Sequence, residues 1–502
     1  MDKKLLAIAS LVVVLLAAYA FTNVLRAPAA PPESPTPIGT VSPTPVAFET
    51  PILVDGGLVS GMVEDGIRVY RGIPYAAPPV GNLRWKPPQP AASWNGVLNA
   101  TKFGRACPQV KTRHPLGEVS EDCLYLNVWT PANSSSEKLP VMVWIHGGGY
   151  VSETSAQPES NGLRLAKKGV VVVSLDYRLW ALGFFVHPEL AKESPNNVSG
   201  NYGLLDQRAA LMWVQSNIAA FGGDPDQVTI FGESAGALSV TAHVASPLSK
   251  GLFARAISES GTIQDNVFPH ANGSLGQATY TGQKYVEVLG CGNASNAIAC
   301  MRNKTHQEIT DGLVPLMIAT NTPPSLTAVS KVKNIQFAPV YDGWFFPEHP
   351  ADIYSEGKQN QVPFMIGYTE DEGTLFVDDI ENESGQFGLD AMKRPAKFVA
   401  GTMSSPVYFF VFSRVPPTEE GSRLGAFHSA EIPYVFGTLN SSDGYIATDF
   451  ALSEKMMDYW VNFAKTGDPN GAGLPVWPVY DRQNESYQEF GEEITTKSGL
   501  EG

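Results

Sequence analysis

The chain has 502 residues, of which 43% are apolar and 17% charged. That is enough apolar material for a large core and too little charge for a disordered chain. The net charge of −15 lacks the basic footprint of nucleic-acid binding, so no nucleic-acid partner is expected. Four cysteines in this length exclude a small scaffold built on disulfides.

Taken in chain order, the first feature is a charged start at Lys3 and Lys4, an apolar run from Leu5 to Ala20, and a small-residue exit at Ala18-Tyr19-Ala20. Residues 1–26 therefore read as a signal peptide or an N-terminal membrane anchor. If retained, residues 5–25 are long enough to tether the chain to a membrane. Either outcome places the body outside the cytoplasm, secreted or anchored on the outer face. Residues 27–50 are rich in Pro and Thr and read as an extended linker. Residues 51–500 contain no further linker and no internal repeat, and read as one large domain; large α/β units exceed the usual domain size.

Within that body, Val141–Ile145, Val170–Leu175, Val228–Phe231, Phe364–Gly367 and Val407–Phe412 are nearly continuous runs of β-branched and aromatic residues. Such runs predict strands covered on both faces. Leu204–Phe221 has apolar residues at helical spacing and stops at Gly222-Gly223. Ser453–Thr466 predicts a second helix, starting on a serine cap and ending before Gly467. Alternating strands and helices predict an α/β fold, with a mainly parallel central sheet flanked by helices. Ligands in such folds bind beyond the carboxyl ends of the strands.

Two motifs sit at such ends. His146-Gly147-Gly148-Gly149-Tyr150 follows the first strand. Its glycines let backbone N–H groups point at a substrate oxygen, and no lysine follows to make it a phosphate loop. His146 reads as a support for that loop rather than as a base. Gly232-Glu233-Ser234-Ala235-Gly236 lies between the strand Val228–Phe231 and a helical run to His243. A serine in this strand-turn-helix context is a nucleophile elbow, and the N–H of Ala235 joins the donors of the glycine loop.

The serine needs a base, and the base needs an acid to orient it. In an elbow architecture both follow the serine. His243, His270, His306, His349 and His428 are then the candidates, and His428 is favoured because it follows the strand Val407–Phe412. The acid is expected after Phe364–Gly367, where Glu370, Asp371 and Glu372 all qualify. No zinc spacing is present and the chemistry needs no cofactor.

Cys107 with Cys123, and Cys291 with Cys300, fall as close pairs able to close short loops in an oxidising compartment. Nine N-x-S/T sequons, at Asn99, Asn133, Asn197, Asn272, Asn293, Asn303, Asn382, Asn440 and Asn484, suggest N-glycosylation of an exported protein.

The sequence resembles the type B carboxylesterase/cholinesterase-like family of α/β-hydrolases over most of residues 51–480. The resemblance rests on Tyr70–Ala76 (YRGIPYA), Ser120–Asn127 (SEDCLYLN), Asn201–Gln207 (NYGLLDQ), Phe221–Pro225 (FGGDP) and the elbow. It implies a serine carboxylic-ester hydrolase acting through an acyl-enzyme on small or bulky carboxylic esters. By resemblance, Ser234, Glu372 and His428 form the triad, and Gly148, Gly149 and Ala235 the oxyanion hole. It also implies the disulfides Cys107–Cys123 and Cys291–Cys300, and the ion pairs Arg84–Glu121 and Arg178–Asp206.

Two departures from the family pattern matter. The loop between Cys107 and Cys123 holds no tryptophan, which argues against quaternary ammonium recognition there. Glu372 and His428 are 56 residues apart, a separation shorter than the family usually carries, so the helical region between them is expected to wall a shallower, more open site. Other readings are a neuroligin-like adhesion module without catalysis, and a lipase or amidase using the same triad. The intact trio argues against the first, and the absence of an apolar lid in 373–427 against a lipase.

Overall fold

The body is organised by a twelve-stranded mixed sheet. The computed structural model describes residues 46–47, 50–109, 117–262, 275–320, 337–377 and 379–501. The signal or anchor segment therefore lies outside the described residues, as does nearly all of the linker. Residues 45–502 cluster as one unit. Among the described residues no helix is long and apolar enough to cross a membrane.

In chain order the strands are β1 (Val46–Ala47), β2 (Ile52–Val54), β3 (Gly57–Ser60), β4 (Met62–Glu64), β5 (Ile67–Pro74), β6 (Val97–Asn99), β7 (Tyr125–Thr130) and β8 (Leu139–Ile145). Then come β9 (Val171–Leu175), β10 (Gly223–Glu233), β11 (Arg255–Glu259), β12 (Phe364–Thr369), β13 (Val407–Phe412), β14 (Tyr487–Phe490) and β15 (Ile494–Lys497). Their spatial order is β1-β4-β5-β7-β9-β8-β10-β11-β12-β13-β14-β15, with β2-β3-β6 as a small separate sheet. From β9 to β14 every neighbouring pair is parallel, and the pairs on either side are antiparallel. The mainly parallel sheet read from the sequence is the one observed. Its central strands bury every residue of Val141–Ile145 and Val171–Leu175, which is why they read as unbroken apolar runs.

Several element boundaries differ from the sequence reading, and three of them have a clear physical cause. Strand β10 begins at Gly223, not Val228, because Gly223 already pairs with Leu139 before the polar run Asp224–Gln227 bulges out of register. The helix read as Leu204–Phe221 is α-helical over Tyr202–Asn217 and closes with a 3-10 turn, Ile218–Phe221, onto Gly222 at φ 81°. The last helix runs from Ala447 to Thr466, so Ser453 is not its cap. Its start is set by buried Asp449, whose carboxylate accepts the Ile446 N–H at 2.9 Å and holds Arg414 and the Tyr434 hydroxyl at 2.7 Å each. Ser453 lies inside the helix and donates to the Tyr434 carbonyl.

All four cysteines are bonded, Cys107 to Cys123 and Cys291 to Cys300, as fits an oxidising compartment. Arg84 meets Glu121 at 2.5 and 2.7 Å. Arg178 meets Asp206 through two bonds of 2.7 Å, with 3% and 0% of the two residues exposed. Removing one partner strands the other charge in low dielectric. Asp206→Ala is therefore expected to cost about 3–5 kcal/mol of unfolding free energy, read by guanidinium denaturation. A loss within the range of a surface pair, below about 1 kcal/mol, would show that the pair contributes little.

Candidate active site

Each chemistry-bearing loop leaves the carboxyl end of a central strand. Ser234 follows β10 directly and precedes the helix Ala235–Ala245. It sits at φ 54° and ψ −122°, a conformation rarely tolerated by a residue with a Cβ. The turn is held by the Ser234 N–H on the Glu259 carbonyl (2.9 Å) and by the Leu238 N–H on the Ser234 carbonyl (2.9 Å). Only glycine fits at the motif's outer positions. A Cβ on Gly236 would lie 2.0 Å from the Ile145 carbonyl oxygen, and one on Gly232 2.6 Å from the same atom. The result is a half-buried serine at the positive end of a helix, facing a cavity.

The glycine loop leaves β8 beside it. Gly148 and Gly149 take φ 85° and 63°. The N–H groups of Gly148, Gly149 and Ala235 donate no hydrogen bond among the described residues. His146 is buried, stacked on Tyr177 with 4.4 Å between ring centres, and its Nδ1 lies 3.1 Å from the Gly147 carbonyl. Burial pushes its pKa down to about 4, as suits a loop support rather than a base. His243 is likewise packed away, between Ser249 and Gln207, with burial lowering it to about 3.

The three candidate acids separate clearly. Glu372 opens the short 3-10 turn Glu372–Leu375 after β12 and is 0% exposed. Its Oε2 lies 2.5 Å from His428 Nδ1, and its Oε1 accepts the Thr369 N–H at 3.0 Å. Asp371 instead zips the two loops together: its N–H donates to the Ala426 carbonyl and its Oδ2 accepts the Ala426 N–H at 2.8 Å. Glu370 points elsewhere, 4.0 Å from Lys393. His428 itself is 3% exposed and packs on the Phe376 ring. The structure thus brings a histidine and a carboxylate together across 56 residues of chain, with His428 lining the cavity that Ser234 faces and Glu372 buried against it.

Sequence reasoning missed a second carboxyl group on the same imidazole. His428 Nε2 lies 3.1 Å from Glu233 Oε1 and makes no hydrogen bond among the described residues. Glu233 also accepts from the Ser429 hydroxyl at 2.7 Å. Behind it are two further buried carboxyls, Glu431, which receives the Ser260 hydroxyl, and Glu259, which receives the Trp460 indole N–H. Burial raises all three, Glu259 to about 8. Burial acts to lower His428, but the charges of Glu233 and Glu372 outweigh it and lift the imidazole to about 9. The one available signal in the sequence is Glu233 itself, which stands inside the elbow motif next to Ser234.

The cavity holds about 900 Å³. Leu313, Met317, Phe376, Phe387 and Met392 give it apolar walls. Phe387 and Met392 come from the helical stretch between acid and base, which is folded over Ile380–Thr402.

A sequence model of the carboxylesterase family matches residues 49–399 and 387–501. The chain belongs to the carboxylesterase family. As such it is a carboxylic ester hydrolase with the α/β-hydrolase fold. This carboxylesterase is 35% identical to the fumonisin B1 esterase of Sphingopyxis macrogoltabida over 91% of its own length and 90% of that protein's. It is also 35% identical to the para-nitrobenzyl esterase of Bacillus subtilis, over 89% and 95% of the two chains. The solved structure of a thermophilic PNB esterase matches it with a TM-score of 0.80 at 34% identity, over 90% of this chain and 98% of the other.

Proposed function

We propose that this carboxylesterase works through an acyl-enzyme on Ser234, with His428 as base, Glu372 as its orienting acid, and the N–H groups of Gly148, Gly149 and Ala235 as the oxyanion hole. The observation that carries this reading is the 2.5 Å contact of Glu372 with His428, which lines the cavity faced by the strained serine. The serine oxygen attacks the ester carbonyl while His428 Nε2 takes its proton. Glu372, ionised, keeps the second imidazole proton on Nδ1. The three N–H groups receive the oxyanion, and His428 returns its proton to the departing alcohol. Water then repeats the cycle and releases the acid. Catalytic hydrogen bonds of free enzymes are often loose and tighten on binding, which accounts for the unmade bond between Ser234 and His428.

The substrate class we assign is carboxylic esters with bulky acyl or alcohol groups. A volume of about 900 Å³ stands near the upper end of the roughly 300–1,000 Å³ of small-molecule pockets. The short 373–427 connection favours open access. The leader read from the sequence and the two disulfides support a location outside the cytoplasm, free or tethered through residues 5–25.

A p-nitrophenyl ester tests the covalent step. A burst of nitrophenol stoichiometric with enzyme is expected, with a phosphonate ester label landing on the Ser234 peptide alone. Turnover that survives complete labelling of that peptide would refute the assignment.

The pH profile tests the imidazole. A protonated His428 cannot accept the serine proton, so kcat/KM should climb as pH rises toward about 9. Glu233→Gln removes an anion facing Nε2 and lowers the imidazole's proton affinity, so the rising limb should move to lower pH. A limb that stays in place would mean that Glu233 is already neutral in the working enzyme.

A further inference from the structure

We propose that Asn440 carries an N-linked oligosaccharide, and that this glycan stands at the mouth of the Ser234 cavity and screens substrates by size. The proposal rests on the export reading of the leader, and its screening part on the esterase reading of the cavity.

The eight sequon asparagines among the described residues, Asn99, Asn133, Asn197, Asn293, Asn303, Asn382, Asn440 and Asn484, are all exposed. Asparagines outside sequons follow no such rule. Asn127, Asn201 and Asn217 are buried and spend their amides on structure: Asn127 Nδ2 donates to the Ser155 and Ser174 hydroxyls, and Asn201 Nδ2 to the Val340 carbonyl. A motif enriched in number and placed only where a transferase can reach is what a modified surface requires.

Asn440 differs from the other seven because it also lines the cavity that holds Ser234 and His428. Being both exposed and lining, it belongs to the rim. Its Oδ1 accepts the Ser442 N–H at 3.1 Å and opens the short turn Ser441–Asp443, which closes at Gly444 with φ 103°. Its Nδ2 makes no hydrogen bond among the described residues, so the acceptor nitrogen is free. The Thr438 hydroxyl ties the segment to the Glu159 carbonyl at 2.7 Å, and both of those residues line the cavity too. A sugar attached here is therefore held at the opening rather than swung clear of it.

The transfer balances with an oligosaccharide carried on a lipid diphosphate, the co-reactant of an export pathway. Nδ2 attacks the anomeric carbon and the N–C1 bond forms. The C1–O bond to phosphate breaks, the diphosphate leaves with its electron pair, and the amide gives up one proton.

Two measurements test this. The full-length chain is secreted from a host that N-glycosylates, and its peptides are mapped after peptide N-glycosidase treatment, which leaves aspartate at each occupied site. Aspartate at position 440 is expected, and an unmodified Asn440 overturns the proposal. Ser442→Ala then deletes the acceptor motif but keeps Asn440 and the backbone N–H that caps it. In that host, the variant should raise kcat/KM for a bulky acyl ester several-fold and leave a small acetate ester unchanged. From a host that does not glycosylate, variant and parent should give the same ratio of the two rates. Equal ratios in the glycosylating host overturn the screening role. Failure of the parent to hydrolyse even the acetate would instead overturn the esterase reading.

Discussion

Ser234→Ala should lower kcat by about a million-fold while leaving the melting temperature unchanged. In the proposed mechanism, removing the hydroxyl deletes the atom that forms the covalent intermediate, so His428 and the oxyanion donors lose the step they would serve. What remains is the roughly 10³–10⁴-fold acceleration that a preorganised site gives to direct attack by water. The fold does not depend on the hydroxyl. The elbow is held by the Ser234 backbone N–H and carbonyl and by Gly232 and Gly236, whose places against the Ile145 carbonyl admit no Cβ. Alanine inherits the same φ of 54°, so the strain at this position is kept. The check is steady-state hydrolysis of a p-nitrophenyl ester beside a thermal melt. Ester turnover within about tenfold of the parent, at matched melting temperature, would put the nucleophile elsewhere.

The parts of this site that were legible in the sequence are those whose cause is local. The elbow could be read because a buried strand, two glycines forced by close approach and a helix lie within about twenty consecutive residues. The glycine loop after β8 could be read for the same reason. The acid could not be chosen from its own neighbourhood. Glu370, Asp371 and Glu372 share one turn, and what separates them is the partner each meets across 50 or more residues of chain: Ala426 for Asp371, His428 for Glu372. Only the family resemblance pointed to Glu372. The carboxyl cluster of Glu233, Glu259 and Glu431 was invisible for a different reason. Charged residues are ordinarily read as surface, and burying three together runs against that expectation. Their burial is a tertiary fact, assembled from β10, the end of β11 and the turn after His428. The start of the last helix was misplaced in the same way, since a buried Asp449 bound by Arg414 and Tyr434 outweighs a serine that merely suits a cap.

Glu372→Gln should lower kcat by roughly ten-thousand-fold with little change in KM. Glutamine fills the same volume, so the packing of His428 against Phe376 should survive. What changes is the proton. The carboxylate at 2.5 Å accepts from Nδ1 and so leaves Nε2 with the free lone pair that the serine needs. An amide in its place can donate to Nδ1, which moves the imidazole proton to Nε2, toward the serine. The base is then present but in the wrong tautomer, and the imidazolium formed during attack loses its counter-charge. Asp371→Asn is the matched control, because asparagine can still accept the Ala426 N–H and keep the two loops zipped. That variant should retain most of its kcat. If Asp371→Asn instead proved the more damaging of the two, the orienting acid would be Asp371, and the contact between Glu372 and His428 would be a packing feature of the folded loop.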